Sequence, residues 1–206
     1  MRLRLPLRIA AVLLTACGAP HLVADYPARA ASGAVNAVIE IPAGTNAKLE
    51  VDHVSGRLRQ EQRDGRPRTI DFLGYPGSYG FIPSTYLPPE DGGDGDPLDV
   101  LVLGASVERG AVVAVRPVAV LRLLDEGERD DKILCVRADA EDGAPFAAVH
   151  DLPDLRRDYP AALEIVSLWF ASYDRDQALT VEGWGDAAAA RALIDAAAEA
   201  YRAHPR

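Results

Sequence analysis

The chain predicts an α+β fold, a small barrel or sheet backed by helices. Short strand-like runs fill the first two thirds of its 206 residues, and helical apolar spacing begins only near residue 155. Turn signals built from Gly, Pro and Asp separate the runs at short intervals. Strands first and helices last argue for α+β rather than an alternating architecture. No internal repeat and no second domain is legible.

Val35–Ile41 alternates loosely and ends at Pro42, a strand-like start. Residues 48–51 form a second short strand, and Ser55-Gly56 marks a turn. Residues 57–63 and 68–72 flank Asp64-Gly65, and Asp-Gly between two extended runs is a hairpin signal. Residues 75–89 collect Pro, Gly and Tyr and read as an ordered loop. Strands follow over 98–103, 112–123 and Lys132–Arg137. From 155 to 173 the spacing is helical, and Pro160, one turn inside, puts the start of the regular helix near itself. Asp186 reads as the N-cap of an Ala-rich helix over 187–204, the second of two C-terminal helices.

Apolar residues make up 49% of the chain, enough for a folded globular core. The formal charge is −9, or −12 without Arg2, Arg4 and Arg8, which makes the chain a poor non-specific binder of nucleic acid, and no nucleic-acid partner is expected. Cys135, within Ile133-Leu134-Cys135-Val136, reads as a buried inert thiol. Only Cys17 accompanies it, so no disulfide framework or paired-Cys zinc signature is implied. His21, His53, His150 and His204 lack ligand spacing.

Arg2, Arg4 and Arg8 precede an apolar run at 9–17, which reads as an export signal too short to span a bilayer. Leu14-Thr15-Ala16-Cys17 resembles a bacterial lipobox, in which Cys17 becomes the lipidated first residue; Gly18 resembles outer-membrane sorting. The expected address is the bacterial cell envelope, with a lipid anchor on Cys17. Cleavage after Ala28-Arg29-Ala30, giving a soluble periplasmic protein, and a mis-assigned start before a cytoplasmic one stay open. The expected organisation is a signal over 1–17, a flexible tether over 18–36 and one folded domain over 37–206.

The chemistry concentrates in Asp94-Gly95-Asp96-Pro97-Leu98-Asp99, ahead of the apolar run Val100-Leu101-Val102-Leu103. Three carboxylates at the rim of a buried strand repel one another unless cations neutralise them. All-oxygen ligands favour Mg²⁺ or Mn²⁺ over Zn²⁺. A calcium EF-hand fails on spacing, because its twelfth position would be Ala105. Taken alone, the segment is equally an acidic turn.

Three further blocks surround it: Glu40-Ile41-Pro42 with Thr45-Asn46-Ala47-Lys48-Leu49-Glu50; Tyr75-Pro76-Gly77-Ser78-Tyr79-Gly80-Phe81-Ile82-Pro83; and Asp125-Glu126-Gly127-Glu128-Arg129-Asp130-Asp131-Lys132. Together they resemble the family I soluble inorganic pyrophosphatases over most of residues 35–185, ending at Val181-Glu182-Gly183-Trp184. The resemblance implies a five-stranded OB-like β-barrel flanked by helices. It implies hydrolysis of pyrophosphate to two orthophosphates with three or four Mg²⁺ ions, Mn²⁺ being the alternative, in a homo-oligomer, either hexamer or dimer. By position, Asp94, Asp99, Asp125 and Asp130 match the main metal ligands, and Glu40 and Glu50 the outer ones. Asp96 matches the general base. Lys48, Arg68, Tyr79, Lys132 and Tyr173 match the phosphate-binding side chains, and Tyr75 a site-lining tyrosine. Arg63 and Arg66 are rivals for the role of Arg68.

The reaction needs acids to hold metals and cations to hold phosphate, and both are present. One position departs from the pattern. Bacterial members usually carry Lys after the tyrosine that Tyr173 matches; here it is Asp174. The expectation is a repelled phosphate unless Arg175 turns in, and a lower KM on replacing Asp174 by Lys. Two rival functions stay open: a related metal phosphohydrolase acting on another phosphoanhydride, and a non-catalytic divalent-cation or phosphate-binding lipoprotein.

Overall fold

A computed structural model of the chain describes residues 19–176 and 179–204. The strands are β1 (Val35–Ile41), β2 (Leu49–Asp52), β3 (Arg57–Gln60), β4 (Gln62–Arg63), β5 (Arg66–Pro67), β6 (Ser78–Phe81), β7 (Asp99–Leu103), β8 (Val112–Asp125), β9 (Glu128–Arg129), β10 (Lys132–Arg137) and β11 (Leu179–Asp186). The helices among the described residues are α1 (Leu152–Asp158), α2 (Pro160–Phe170) and α3 (Ala187–Ala203).

Five strands close on themselves. β1 pairs with β6, β6 with β7, β7 with β10, β10 with β8, and β8 returns to β1. All of these pairings are antiparallel except β7 with β10. The 14 residues of β8 allow this closure: its start pairs with β1 and its end with β11. Pro117, which has no N–H to give, sits where the β8–β10 register shifts.

Alternation along β7 and β10 sends their side chains into two of the three apolar clusters among the described residues. Leu101, Leu103, Leu134 and Val136 turn toward Leu155, Leu163, Val166 and Phe170 of α1 and α2. Val100, Val102, Ile133 and Cys135 join Ala190, Ile194 and Ala197 of α3. Each fully buried Leu or Ile there contributes about 1.5–3 kcal/mol. Cys135 is fully buried and free, as its apolar run implies.

Several elements differ from expectation. The segment 75–89 is an ordered loop only in part, because β6 inside it is a member of the ring. Its Gly80 obscures the strand pattern and is required: a Cβ there would stand 1.9 Å from the Val38 carbonyl oxygen. The hairpin forms at Asp64-Gly65, both with positive φ, but its strands have two residues each. Beyond Arg68, only an isolated bridge from Thr69 to Ala47 continues it. The helical segment from 155 is two helices rather than one. Asp151 caps α1, and Pro160 opens α2 at the break by lacking an N–H for the preceding turn. Asp186 caps α3 by accepting from the Ala189 N–H at 2.8 Å.

The expected tether over 18–36 is packed instead, from residue 21 onward. Val23 and Ala28 are buried, the Ser84 hydroxyl donates to the Tyr26 carbonyl at 2.8 Å, and the Ser84 N–H donates to the Val23 carbonyl at 2.9 Å. Burying those apolar side chains beside paired backbone offsets the entropy a free tether would keep. Cys17 and the expected signal segment over 1–17 lie outside the described residues. No helix among the described residues is long and apolar enough to cross a membrane.

Candidate active site

A cavity of about 450 Å³ opens at one end of the ring, lined almost wholly by charged and polar groups. Glu40, Lys48, Glu50, Arg68, Tyr79, Asp94, Asp96, Asp99, Asp125, Asp130, Lys132 and Tyr173 all line it. These are the residues that the sequence singles out, Tyr75 excepted, and they come from segments up to 133 positions apart.

The loop before β7 is pinned from both sides. The Gly95 N–H donates to the Leu87 carbonyl and the Leu87 N–H to the Asp96 carbonyl, each at 2.9 Å. Gly95 has φ +85°, the left-handed region that favours glycine. The Asp96 N–H donates to Asp94 Oδ1 at 2.9 Å, which sets the two carboxylates at a fixed offset. Asp96 Oδ1 stands 3.0 Å from His53 Nε2.

Strand alternation sorts the last acidic block. Asp130 and Lys132, two apart, both reach the cavity. Asp131, between them, is buried on the other side, where it accepts from Arg122 Nη1 at 2.6 Å and from the Leu123 N–H at 3.1 Å. The β8–β9 turn through Glu126-Gly127 brings Asp125 back beside this block, with the Asp130 N–H donating to the Leu123 carbonyl at 3.0 Å.

On the floor of the cavity the Lys132 ammonium donates to both Asp99 and Asp130. Burial works against the charge on Lys132, yet those two carboxylates hold its pKa well above the ordinary value. Burial pushes the Asp130 carboxyl up, and Lys132 opposes that shift. Burial likewise raises Asp94 to about 6, with its Asp99 neighbour adding repulsion. Glu40 on β1 is raised to about 8 by burial, although Lys48 pulls the other way. Its Oε1 accepts from the Val51 N–H at 2.7 Å. Burial also raises the hydroxyls of Tyr79 and Tyr173, which therefore stay protonated donors near neutral pH. Lys48 and Lys132 lie over the Tyr79 ring, at 5.3 and 5.9 Å from its centroid.

Tyr75 stands one layer behind. It is 3% exposed and packs between Tyr79 and Trp169, with ring centroids 5.1 and 4.4 Å away. It backs the wall of the cavity rather than lining it. Asp174 also differs from expectation. It does not stand bare toward the site, because Arg63 donates to it at 2.8 Å and Arg68 donates as well. The Arg63 hydrogen bond keeps its carboxyl below the usual range, against the effect of burial. Arg175, the expected substitute cation, is exposed, and the cation that pairs with Asp174 outside the cavity lining is Arg63. Arg68 donates through Nη1 to both Glu61 oxygens, at 2.7 and 2.8 Å.

Asp52, His53, Arg59 and Glu61 also line the cavity, and sequence reasoning missed them. A signal existed: Lys48, Glu50 and Asp52 are spaced by two on one strand face, and the β2–β3 register sets Glu50 opposite Arg59.

The donor chemistry fits hard divalent cations. Nine carboxylates share one cavity, and burial holds Glu40, Asp94 and Asp130 at raised pKa, the condition a neighbouring cation relieves. Among the described residues no group of three or more His, Cys, Asp and Glu side chains is close enough to hold a metal. Lys132 supplies the counter-charge and draws Asp99 and Asp130 onto itself.

Comparison with known proteins agrees with this arrangement. A family model described as inorganic pyrophosphatase matches residues 37–202. The inorganic pyrophosphatase of Leifsonia xyli is 38% identical over 167 residues, covering 79% of this chain and 93% of that protein. That of Gluconobacter oxydans is 37% identical, covering 78% and 87%. The crystal structure of inorganic pyrophosphatase from Thermus thermophilus superposes with a TM-score of 0.75 at 30% identity, covering 89% of this chain and 99% of that one. Matched in sequence over most of its length and in the ring of strands that carries the acidic cavity, the chain belongs to the family I inorganic pyrophosphatases.

Proposed function

We propose that this chain hydrolyses inorganic pyrophosphate to two orthophosphates, using divalent cations held by the carboxylates of the cavity. One observation carries the reading: Asp94, Asp96, Asp99, Asp125 and Asp130 share a single cavity with Lys48, Arg68 and Lys132, in a chain of this family. The same cavity presents acids for cations and cations for phosphate, as a phosphoanhydride hydrolase requires.

Asp94, Asp99, Asp125 and Asp130 would hold the ions, Mg²⁺ by preference and three or four in number, with Glu40 and Glu50 as outer ligands. Bound divalent ions supply charge neutralisation of the phosphate oxygens and a water whose pKa falls from about 15.7 toward 7. Asp96 orients the attacking water and takes its proton. Its side chain is 59% exposed, so water reaches it, and Pro97 and the Asp94 bond fix its place. Lys48, Arg68 and Lys132 bind phosphate oxygens as cations, while the Tyr79 and Tyr173 hydroxyls donate hydrogen bonds. Tyr75 supports Tyr79 from behind.

The test is phosphate release from pyrophosphate by the chain lacking residues 1–17, with Mg²⁺ varied. Turnover should require Mg²⁺, and Asp96→Asn should lower kcat by about 10²–10⁴-fold with the fold intact. Full activity in Asp96→Asn would remove it from the mechanism. Faster release from tripolyphosphate or a nucleoside triphosphate would favour another anhydride as substrate. Mg²⁺ binding without turnover of any of them would favour a binding protein.

Export with lipidation at Cys17 belongs to the same proposal, and the basic start followed by the lipobox-like Leu14-Thr15-Ala16-Cys17 supports it. Mass spectrometry of the native N-terminus decides it: an unmodified Met1 would end the idea. Self-association is proposed from the family resemblance alone, and sedimentation reads it.

A further inference from the structure

The proposed mechanism uses Arg68 but gives no part to its partners at the cavity rim, Glu61, Asp174 and Arg63. Asp174 follows α2, and its side chain is 4% exposed. It accepts from Arg63 Nη2 at 2.8 Å and Nη1 at 3.4 Å, from Arg68 Nη2, and from the Asp176 N–H at 3.0 Å. Arg68 lines the cavity and is itself 10% exposed, with Nη1 on both Glu61 oxygens. Both arginines sit on or beside a hairpin whose strands have only two residues each. The backbone beside them is anchored, with the Arg68 N–H on the Glu61 carbonyl at 2.7 Å and the Lys48 N–H on the Arg68 carbonyl at 3.1 Å, but the long side chains reach beyond it, so side-chain pairs place these guanidinium groups. Charge-assisted, forked bonds to fixed carboxylates do that.

We propose that Asp174 is a positioning residue. It clamps Arg68, and through Arg63 the hairpin, so that the Arg68 guanidinium meets a phosphate group of the substrate already in place. Two arginines against Glu61 and Asp174 leave the four side chains neutral, so the cluster orients phosphate more than it attracts it from afar. A clamped arginine loses less rotamer freedom on binding than a free one. The opposite role is equally concrete: Asp174 as a competitor that occupies Arg68 and weakens phosphate binding. The two roles predict opposite signs on removing the charge. The proposal rests on Arg68 facing phosphate, as in the proposed function.

The experiment is calorimetric titration with imidodiphosphate, a non-hydrolysable pyrophosphate analogue, at fixed Mg²⁺, alongside steady-state kinetics. Four proteins are compared: wild type, Asp174→Asn, Arg68→Ala and the double variant. The clamp predicts that Asp174→Asn raises the Kd for imidodiphosphate, and the KM, by about 5–10-fold, with kcat changed much less. It predicts no further loss when Asp174→Asn is added to Arg68→Ala. Unchanged or tighter binding in Asp174→Asn overturns the proposal, and so does equal weakening in both backgrounds, which a merely structural role would give. Should Asp174→Asn fail to fold, Asp174→Glu keeps the charge but displaces it, and Arg68→Lys replaces Arg68→Ala; the same signs apply. A wild type that binds imidodiphosphate without hydrolysing pyrophosphate defeats the hydrolase reading alone, and an active wild type with unchanged Kd in the variants defeats the clamp alone. A wild type that neither binds nor hydrolyses defeats both.

Discussion

The floor and the rim of this cavity solve the same electrostatic problem in different ways. On the floor, Asp99 and Lys132 project from β7 and β10, neighbouring strands of the closed ring, and Asp130 lies beside them. At the rim, Arg63, Arg68, Glu61 and Asp174 come from a two-residue-strand hairpin and a loop, and they hold one another. Floor side chains are therefore short reaches from the closed ring, whereas at the rim the long guanidinium arms extend beyond a bonded backbone and are placed by ion pairs. A charge change on the floor leaves its neighbours in place but uncompensated. A change at the rim lets its neighbours move.

The sharpest break of this contrast is Lys132→Met. It leaves Asp99 and Asp130 facing each other without a counter-charge, and losing one partner of a buried ionic cluster costs about 3–5 kcal/mol. Urea unfolding in EDTA should read that loss, and Mg²⁺ should recover part of it by replacing the ammonium. If Mg²⁺ stabilises wild type and variant equally, the floor is not the cation site.

The pH dependence of the metal-free protein is the next largest effect. The folded-state pKa of Glu40 is about 8 against 4.5 for the free group, and that of Asp94 is about 6 against 3.8. Between those limits the folded protein holds protons that the unfolded chain has released. Stability should therefore fall as pH rises from about 5 to 8, by a few kcal/mol in all. Asp174, shifted downward, acts in the opposite sense, and only near pH 4 and below. Excess Mg²⁺ should flatten the fall, since it favours the ionised carboxylates. Unfolding midpoints at four pH values, with EDTA and with Mg²⁺, check this; a metal-free protein that grows more stable toward pH 8 contradicts it.

Asp174→Lys sharpens the contrast at the rim. An ammonium at a 4%-exposed position beside two guanidinium groups repels both. The KM for Mg-pyrophosphate should rise, and stability should drop by about 1–2 kcal/mol. From sequence alone the expected sign is a falling KM, so a drop would show that Arg63 and Arg68 do not depend on this carboxylate. Outside both regions, Asp195→Ala removes the partner of Arg29 in an ion pair with side chains 36% and 65% exposed. It should cost at most about 0.5 kcal/mol and leave kcat and KM unchanged. A larger loss would mean that the packed segment before β1 relies on that pair.

Residues with a strong local signature were legible from the sequence. The carboxylates of the Asp94–Asp99 loop and of the block around Asp130 announce themselves by density and by the apolar strands that follow them. Asp186 announces α3 as a cap, and Pro160 marks the start of α2. β6 and β11 were harder to read, because their Gly80, Gly183 and Gly185 interrupt strand patterning, and their pairing partners lie far away in sequence. Asp52, Arg59 and Glu61 look like ordinary surface charges until the β2–β3 register and the hairpin fold them over the cavity.

By itself, then, the chain's order of residues determined which groups carry charge, which runs must be buried, and where dense acidic blocks lie along the chain. Only the tertiary structure decided that Lys132 lies between Asp99 and Asp130, that Tyr75 stands behind the cavity wall, and that Asp174 is held by two arginines. Charge is a property of a residue. Its sign of effect depends on neighbours within a few ångströms, and those come from segments more than a hundred positions apart, as for Arg63 and Asp174.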